Sequence, residues 1–407
     1  MTTQTVNDTA LPGAAAEEAG GLRDKLRLLM RGDSASHVGV TQVLVGLAAI
    51  WIVFSLLNPN FVSPTNLTNL ALQIVAVATM SIGVVLVLLI GEIDLSVGSV
   101  SGLAATVMAA LNVKQGMPAF VAIGLALLCG LVVGLIHGTI IATFGVPSFV
   151  VTLAGLIGWQ GLQLLIFDYT GAMNLGDPKV LALTDTFFQP WAGLVATVVI
   201  ALAMGLVTRR RRARRRELGL GNRSAAFDVV RLVAFAIVVA VLILVFGINR
   251  GIPLSVLIVV GLVVLMDFIA RRTLFGRRIY AVGGDAQAAE RVGTNVKRVT
   301  IQIFVLASFF AALGGVLSAS RLMSVSQSAG GGEVLLDAIA GVVIGGTSLF
   351  GGRGSVWSAL LGALVIGSIS NGMDLLALRS PVKLMITGAV LVAAVIFDAV
   401  MRRRQSR

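Results

Sequence analysis

The sequence predicts an all-α protein that crosses a membrane many times, and three observations predict it. Mean hydropathy is +0.96, and hydrophobic residues make up 57% of the chain. Charged residues make up 12%, about half the ~25% of an ordinary soluble domain. The chain also divides into about a dozen apolar runs near the ~20 residues a span needs.

Residues 1–37 are polar and lack the apolar core of a signal peptide, so they read as a cytoplasmic tail. The membrane domain is expected over 38–402, followed by a basic tail at 403–407. Within it, apolar runs predict spans near 39–57, 67–90, 97–112, 118–143, 147–168, 191–208, 231–248, 252–270, 299–319, 334–350, 355–375 and 382–401. The runs at 97–112 and 334–350 are short for full spans. Either fits a broken or re-entrant segment, so the count is roughly 10–12. The 47 glycines suit close packing of membrane helices. A lone Cys129 in an apolar run leaves no intrachain disulfide. The segment Tyr169–Pro190 is the longest external connection, with Gly171, Asn174, Gly176, Asp177 and Pro178 as turn formers.

The formal charge of +12 raises the question of nucleic acid, but its distribution answers it. Basic residues gather before the first run (Arg23, Lys25, Arg27, Arg31), over 209–223, over 271–298, and at Arg402, Arg403, Arg404 and Arg407. These clusters hold 23 of the 31 Lys and Arg. Basic residues beside span ends stay cytoplasmic. With an even span count, every cluster and both termini fall on the cytoplasmic side. Contact with anionic lipid is the second role such clusters support.

A short repeat marks two of the turns. The stretch 90–98 (IGEIDLSVG) echoes 344–352 (IGGTSLFGG), matching Ile90, Gly91, Leu95 and Gly98 to Ile344, Gly345, Leu349 and Gly352. Each copy lies between two apolar runs. This predicts two pseudo-repeated halves with interrupted helices, hinged at Gly91, Asp94, Leu95, Gly98, Gly345, Gly346, Leu349 and Gly352. Asp94 or Ser96, and Ser348 or Ser355, are placed to cap the helices that follow.

The chain lacks the motifs of energy-coupling and catalytic chemistry. There is no G-x-x-x-x-G-K-[ST] stretch to cradle a nucleotide. No Cys/His spacing suits a metal, and the two histidines, His37 and His137, join no hydrolytic set. His137 lies within a span, where it reads as a functional residue or as a bond to a neighbouring helix. The ionisable residues Glu92, Asp94, Asp267, Arg321, Glu333, Asp337 and Asp374 sit near span ends, where capping accounts for them. Gln73, Trp159, Gln160, Gln163 and Asn371 lie within spans. Amides and a stacking aromatic suit a neutral polyhydroxy solute, and each alone also suits helix–helix bonding.

One polar stretch is longer than a connector requires. Residues 271–298 carry seven Lys or Arg, a Gly283-Gly284 pair and a helix signal from Ala286 to Val292. Gly283 and Gly284 permit a sharp turn. Asp285 is placed to N-cap the helix, and Gly293 to end it. Ala288, Ala289 and Val292 share one face, rimmed by Gln287, Glu290 and Arg291. Small residues on one face suit a cleft on a partner.

Four segments together resemble the membrane permease subunits of bacterial ABC importers for monosaccharides of the ribose/xylose/galactose type. EIDLSVG (92–98) is similar to that family's G-I-D-L-S-V-G. LFGRRIYAVGGDAQAA (274–289) resembles its stretch F-G-R-x-I-Y-A-x-G-G-N-x-x-A-A. Residues 337–352 match D-A-I-A…G-G-T-S-L-x-G-G, and Asn371-Gly372-Met373 fits a later N-G-M. The resemblance covers about Leu70 to Asp398. Glu92 stands where many members have Gly, Asp285 where Asn is usual, and Leu335 where an acid commonly stands. The extra apolar pair near 191–248 resembles the longer xylose-type members.

The resemblance implies a non-enzymatic transport subunit in a bacterial inner membrane. Its solute is a monosaccharide, with xylose or another pentose favoured. ATP and Mg are expected on a separate cytosolic ATPase, with an extracytoplasmic sugar-binding protein and a second permease copy as further partners. On this reading the ATPase couples through Gly283, Gly284, Asp285, Ala288, Ala289, Glu290, Arg291 and Gly293. An ABC permease for branched-chain amino acids or nucleosides, or an ion-coupled carrier, are the alternatives.

Overall fold

The computed structural model describes residues 34–168, 171–218 and 225–405, and about four-fifths of them are helical. Residues 1–33 with their basic cluster, Arg223 and Arg407 lie outside the described residues. Among those described, nine helices are long and apolar enough to cross a membrane.

The first described helix is α1 (Ser34–Leu57). The helix thus starts inside the segment expected to be tail. Then come α2 (Pro64–Leu89), α3 (Val97–Ala109, prolonged by a π turn to Lys114), α4 (Ala119–Phe144) and α5 (Ser148–Phe167). Ser63 caps α2 through the Asn66 N–H, and Pro64 supplies a first residue that needs no bond. Gly145, with φ of 66°, ends α4.

The connection after α5 is more built than its turn formers predict. β1 (Ala172–Asn174) is followed by α6 (Pro178–Asp185) and β2 (Phe187–Phe188). Asp177 caps α6 through the Lys179 N–H. The long hairpin α7 (Pro190–Glu217) and α8 (Ala225–Asn249) comes next, then β3 (Ile252–Pro253) and α9 (Leu254–Arg272).

The stretch 271–298 holds two helices in succession, α10 (Leu274–Gly284) and α11 (Ala286–Arg291). The sequence pattern predicts only the second. Gly283 and Gly284 therefore do not turn the chain. They are the last helical residues of α10, and Asp285 between the helices makes the turn with extended backbone. The chain closes with α12 (Val296–Leu322), β4 (Ser324–Ser326), α13 (Gly332–Ile344), α14 (Trp357–Leu375) and α15 (Ser380–Gln405). The apolar run 334–350 is thus a 13-residue helix and a non-helical stretch, too short to cross. Arg402, Arg403 and Arg404 belong to α15, so the expected basic tail is largely helix.

Two small antiparallel pairings tie the end of the bundle away from α10 and α11. β1 pairs with β4, Ala172 opposite Ser326, and β2 pairs with β3, Phe188 opposite Ile252. Ser320 donates to the Val180 carbonyl at 2.8 Å, which seats α6 on the end of α12.

α12 is the axis of the core, and small residues let its neighbours reach it. On α4, Ala122, Ala126, Gly130, Gly134 and Gly138 recur every fourth residue and form a stripe against α12. A Cβ on Gly130 would lie 2.6 Å from the Ala312 Cβ, and one on Gly134 would collide with the Phe304 carbonyl. Gly83 of α2 meets Ala307 in the same way, its Cβ position 2.8 Å from the Ala307 Cα. In a hydrocarbon solvent there is no hydrophobic drive between helices, so close backbone packing has to supply the attraction.

Candidate coupling junction and solute cleft

The two repeat turns fold alike, one residue out of the register the sequence suggests. α2 ends with Gly91 N–H on the Leu88 carbonyl (2.9 Å) and Glu92 N–H on the Val87 carbonyl (3.2 Å). α13 ends with Gly346 N–H on Val343 (3.0 Å) and Thr347 N–H on Val342 (3.1 Å). Gly91 has φ of 82° and Gly346 has φ of 98°. Both are Schellman caps closed by a left-handed glycine. Gly91 thus corresponds to Gly346, not Gly345, because the helix end and its positive φ set the register. The identity match at Ile90 and Ile344 did not carry that information.

The expected capping residues act elsewhere. Asp94 Oδ1 accepts from the Ser96 N–H (2.8 Å) and hydroxyl (2.6 Å), making a local turn rather than a cap. Ser348 accepts the Phe350 N–H at 3.2 Å, while Ser355 lies 3.4 Å from the Trp357 nitrogen and 2.9 Å from Arg271 Nη2.

Both turns meet α10. Gly352 N–H donates to the Leu89 carbonyl at 3.0 Å, joining the glycine loop after α13 to the end of α2. Gly283 sits directly on this bond. A Cβ there would collide with the Leu89 oxygen and lie 2.8 Å from the Gly352 nitrogen. Gly351, at φ of 84°, comes equally close, its Cβ position 2.9 Å from the Gly91 Cα. The Tyr280 hydroxyl donates to the Gly354 carbonyl at 3.0 Å, and burial raises its pKa. Arg271, paired with Asp267 at 2.7 Å, reaches Ser355. Three backbones converge with no side chain between them, so displacement of α10 bears on both interrupted elements at once.

α11 carries the outward face. Asp285 caps it through the Ala288 N–H at 2.9 Å, and Gly293, φ of 87°, closes it. Ala289 is not on the outer face. It is buried in this chain's own core, with its carbonyl taking the Thr294 N–H at 3.0 Å. Ala288, Glu290 and Arg291 are exposed, and Val292 is 82% exposed. The shared face predicted for Ala288, Ala289 and Val292 is therefore split, with Ala289 turned inward.

A second site lies deeper. Ser99, Leu156, Gln160, Gln163, Leu335 and the backbone of 329–332 line a cleft between α3, α5 and the start of α13. Gln163 anchors that loop by donating to the Ala329 carbonyl at 3.1 Å. Gly98 and Gly102 let the loop approach, since a Cβ on Gly98 would lie 2.6 Å from the Gly330 carbonyl. Gln160 and Gln163 are thus brought together as solute-path candidates. The others go elsewhere. Asn371 and Asn66 exchange amide bonds at 2.7 and 3.1 Å, with Gln73 Oε1 3.5 Å away, joining α2 to α14.

Trp159 donates to His137 Nε2 at 2.9 Å. An indole N–H only donates, so in the neutral ring the proton sits on Nδ1, 3.4 Å from the Ser96 hydroxyl. Ser96 in turn donates to Asp94. This buried chain clamps 93–96 onto α4 and α5, aided by Ile93 N–H on Ser148 and Leu95 N–H on Thr152, both at 3.1 Å. The clamped segment leads from the junction at Leu89–Gly91 up to Ser99 in the cleft. Sequence reasoning placed Asp94, Trp159 and His137 separately, because nothing in their spacing shows that they meet.

Residues 66–395 match the family described as the permease component of the branched-chain amino acid transport system. The chain belongs to this family. A xylose transport system permease protein of Escherichia coli K12 is 35% identical over 369 residues, covering 90% of this chain and 93% of the relative. A ribose import permease protein of Bacillus subtilis 168 is 32% identical, covering 88% and 94%. A probable ABC transporter permease of E. coli K12 is 33% identical, covering 91% and 92%. No solved structure matches. The protein is a multi-pass membrane permease of the ABC type.

Proposed function

We propose that this chain is the permease subunit of an ATP-driven monosaccharide importer that works by alternating access. One observation carries the reading: Gly283 of α10 rests on a bond that joins the end of α2 to the glycine loop after α13. A cytosolic ATPase, holding ATP and Mg, is the source of movement, and it grips α11 on Ala288, Glu290, Arg291 and Val292. The basic ends favour the cytoplasmic side for this face. The cleft where Gln160 and Gln163 meet, at span depth, is completed by a second copy of the chain, since polar groups at that depth face protein or a water-filled path. An extracytoplasmic binding protein delivers the solute. Xylose or another pentose is the favoured cargo, from the likeness to xylose permeases and the extra hairpin α7–α8.

The test is uptake of labelled xylose, ribose, galactose and leucine by cells expressing the permease with its ATPase and binding protein. Pentose uptake that persists with an uncoupler, while ATP is maintained, is expected. Uptake that collapses with the uncoupler points to ion coupling, and uptake of leucine alone moves the cargo to amino acids.

A further inference from the structure

We infer that the end of α7 is a binding site for the phosphate headgroups of anionic phospholipids. Four observations lead there. First, the hairpin is peripheral: 6% of the apolar stretch of α7 and 6% of that of α8 is buried, against 72% for α2. In a membrane, what surrounds such a hairpin is lipid.

Second, α7 outruns the bilayer. Its 28 residues make a rod about 42 Å long, against ~30 Å of hydrocarbon. Trp191, 67% exposed, sits at the end where an aromatic anchors in the interface. From Ala192 to Thr208 the helix is apolar but for Thr197 and Thr208, about 26 Å at 1.5 Å per residue. Arg209 is therefore the first residue to enter the opposite headgroup layer.

Third, most of this charge has no ion pair among the described residues. Arg212 is bound to Asp228 of α8, Nη2 to Oδ2 at 2.6 Å. Arg209, Arg210, Arg211, Arg214 and Arg216 are exposed. Topology alone needs basic residues at this end, but not this density on a continuous helix.

Fourth, the arginines spread around most of the rod. At 3.6 residues per turn, Arg209, Arg210, Arg211, Arg214 and Arg216 project at about 0°, 100°, 200°, 140° and 340°. A helix that docks on one protein surface presents one charged stripe. Charge spread over all but one sector of about 140°, the sector where Arg212 meets Asp228 of α8, suits a layer that encloses the helix on its open sides. Guanidinium forks bind phosphate oxygens in pairs, which a phosphodiester headgroup offers. A zwitterionic headgroup offers the same oxygens without net charge.

The test titrates detergent-purified full-length protein with fluorophore-labelled phosphatidylglycerol and, separately, labelled phosphatidylcholine. Three proteins are compared: the natural chain, one with those five arginines changed to Gln, and one with the five changed to Lys. The natural chain is expected to bind phosphatidylglycerol about tenfold or more tightly than the Gln protein. Binding should fall as salt rises, and the Lys protein, which keeps its charge for correct insertion, should hold an intermediate affinity. The inference is overturned if phosphatidylcholine binds the natural chain as tightly. It is overturned equally if the Gln protein binds phosphatidylglycerol undiminished, or if salt has no effect on the natural chain. Loss of the ATPase from the Gln protein with lipid binding intact would assign the surface to a protein and overturn it too.

Discussion

The α4–α12 contact and the α7–α8 hairpin are built from similar apolar residues but obey different rules. Along α4, glycine or alanine every fourth residue brings its backbone against α12, and a methyl group at Gly134 has no room. Along α7, Gly205 has nothing nearer than 3.4 Å to a Cβ built there, and large side chains such as Val195, Val198 and Leu202 face outward. In the first region the helix faces are specified by what cannot fit. In the second such contacts are confined to the end near Pro190, where a Cβ on Gly247 would lie 2.6 Å from the Pro190 side chain; hydropathy sets the rest, and the detail lies in the charged end. A moving transporter needs the first kind of contact where force passes and tolerates the second where lipid does the packing.

The largest expected effect breaks the comparison directly. Gly134→Leu should cost ~3 kcal/mol or more through overpacking against backbone, seen as loss of folded protein after detergent extraction. Val198→Leu on α7 should leave the extraction profile unchanged. Equal losses at the two sites would remove the distinction.

Within the core, the clamp on 93–96 is next. His137→Leu strands the Trp159 N–H, a penalty of ~1–3 kcal/mol for a buried donor left unpaired, and removes the ring that holds Ser96, which keeps its bond to Asp94. Uptake should fall about tenfold, in line with a lost contact of that size, while ATPase copurification is kept. His137→Gln, which retains an acceptor for Trp159, should recover part of it. Normal uptake in His137→Leu would show that the clamp does not matter to the cycle. In the cleft, Gln160→Leu should raise the solute concentration for half-maximal uptake severalfold and leave maximal turnover nearly intact. A pure fall in turnover would remove Gln160 from the solute path.

The smallest effect lies at the far end of the bundle. The Lys179 backbone N–H, then the Asn112 amide, holds the Asp177 carboxyl below its ordinary pKa. Its contribution is therefore present above the unfolded value of about 3.9 and lost as pH falls through the lower folded value. Asp177→Ala should cost ~1 kcal/mol near neutral pH, as for a lost helix cap. Thermal melts of the two proteins should converge under strongly acid conditions.

Much of this was legible in the sequence. The apolar runs gave the helices, and Asp285 and Gly293 announced α11 because capping chemistry is local. The break after Ile344 was signalled by glycines. α10 was not foreseen, because Leu274–Gly284 has two arginines and two terminal glycines that read as a loop. The inward turn of Ala289 depends on packing against helices distant in sequence, and so does the meeting of Asp94, His137 and Trp159. The repeat was visible but its register was not, since a left-handed glycine leaves the same letter as any other.

The central claim is that α10 transmits movement through Gly283. Its neighbour supplies the control. A Cβ on Gly284 meets nothing within 4 Å, whereas one on Gly283 strikes the Leu89 carbonyl. Replacing glycine by alanine inside a helix favours the helix by ~1 kcal/mol, so on local grounds both substitutions should be harmless. ATP-driven solute uptake is to be measured for Gly283→Ala and Gly284→Ala in proteins that still copurify with the ATPase. The account expects near-normal uptake for Gly284→Ala and at least about a tenfold loss for Gly283→Ala, as misfit at a packed contact implies. Equal uptake by the two would contradict it.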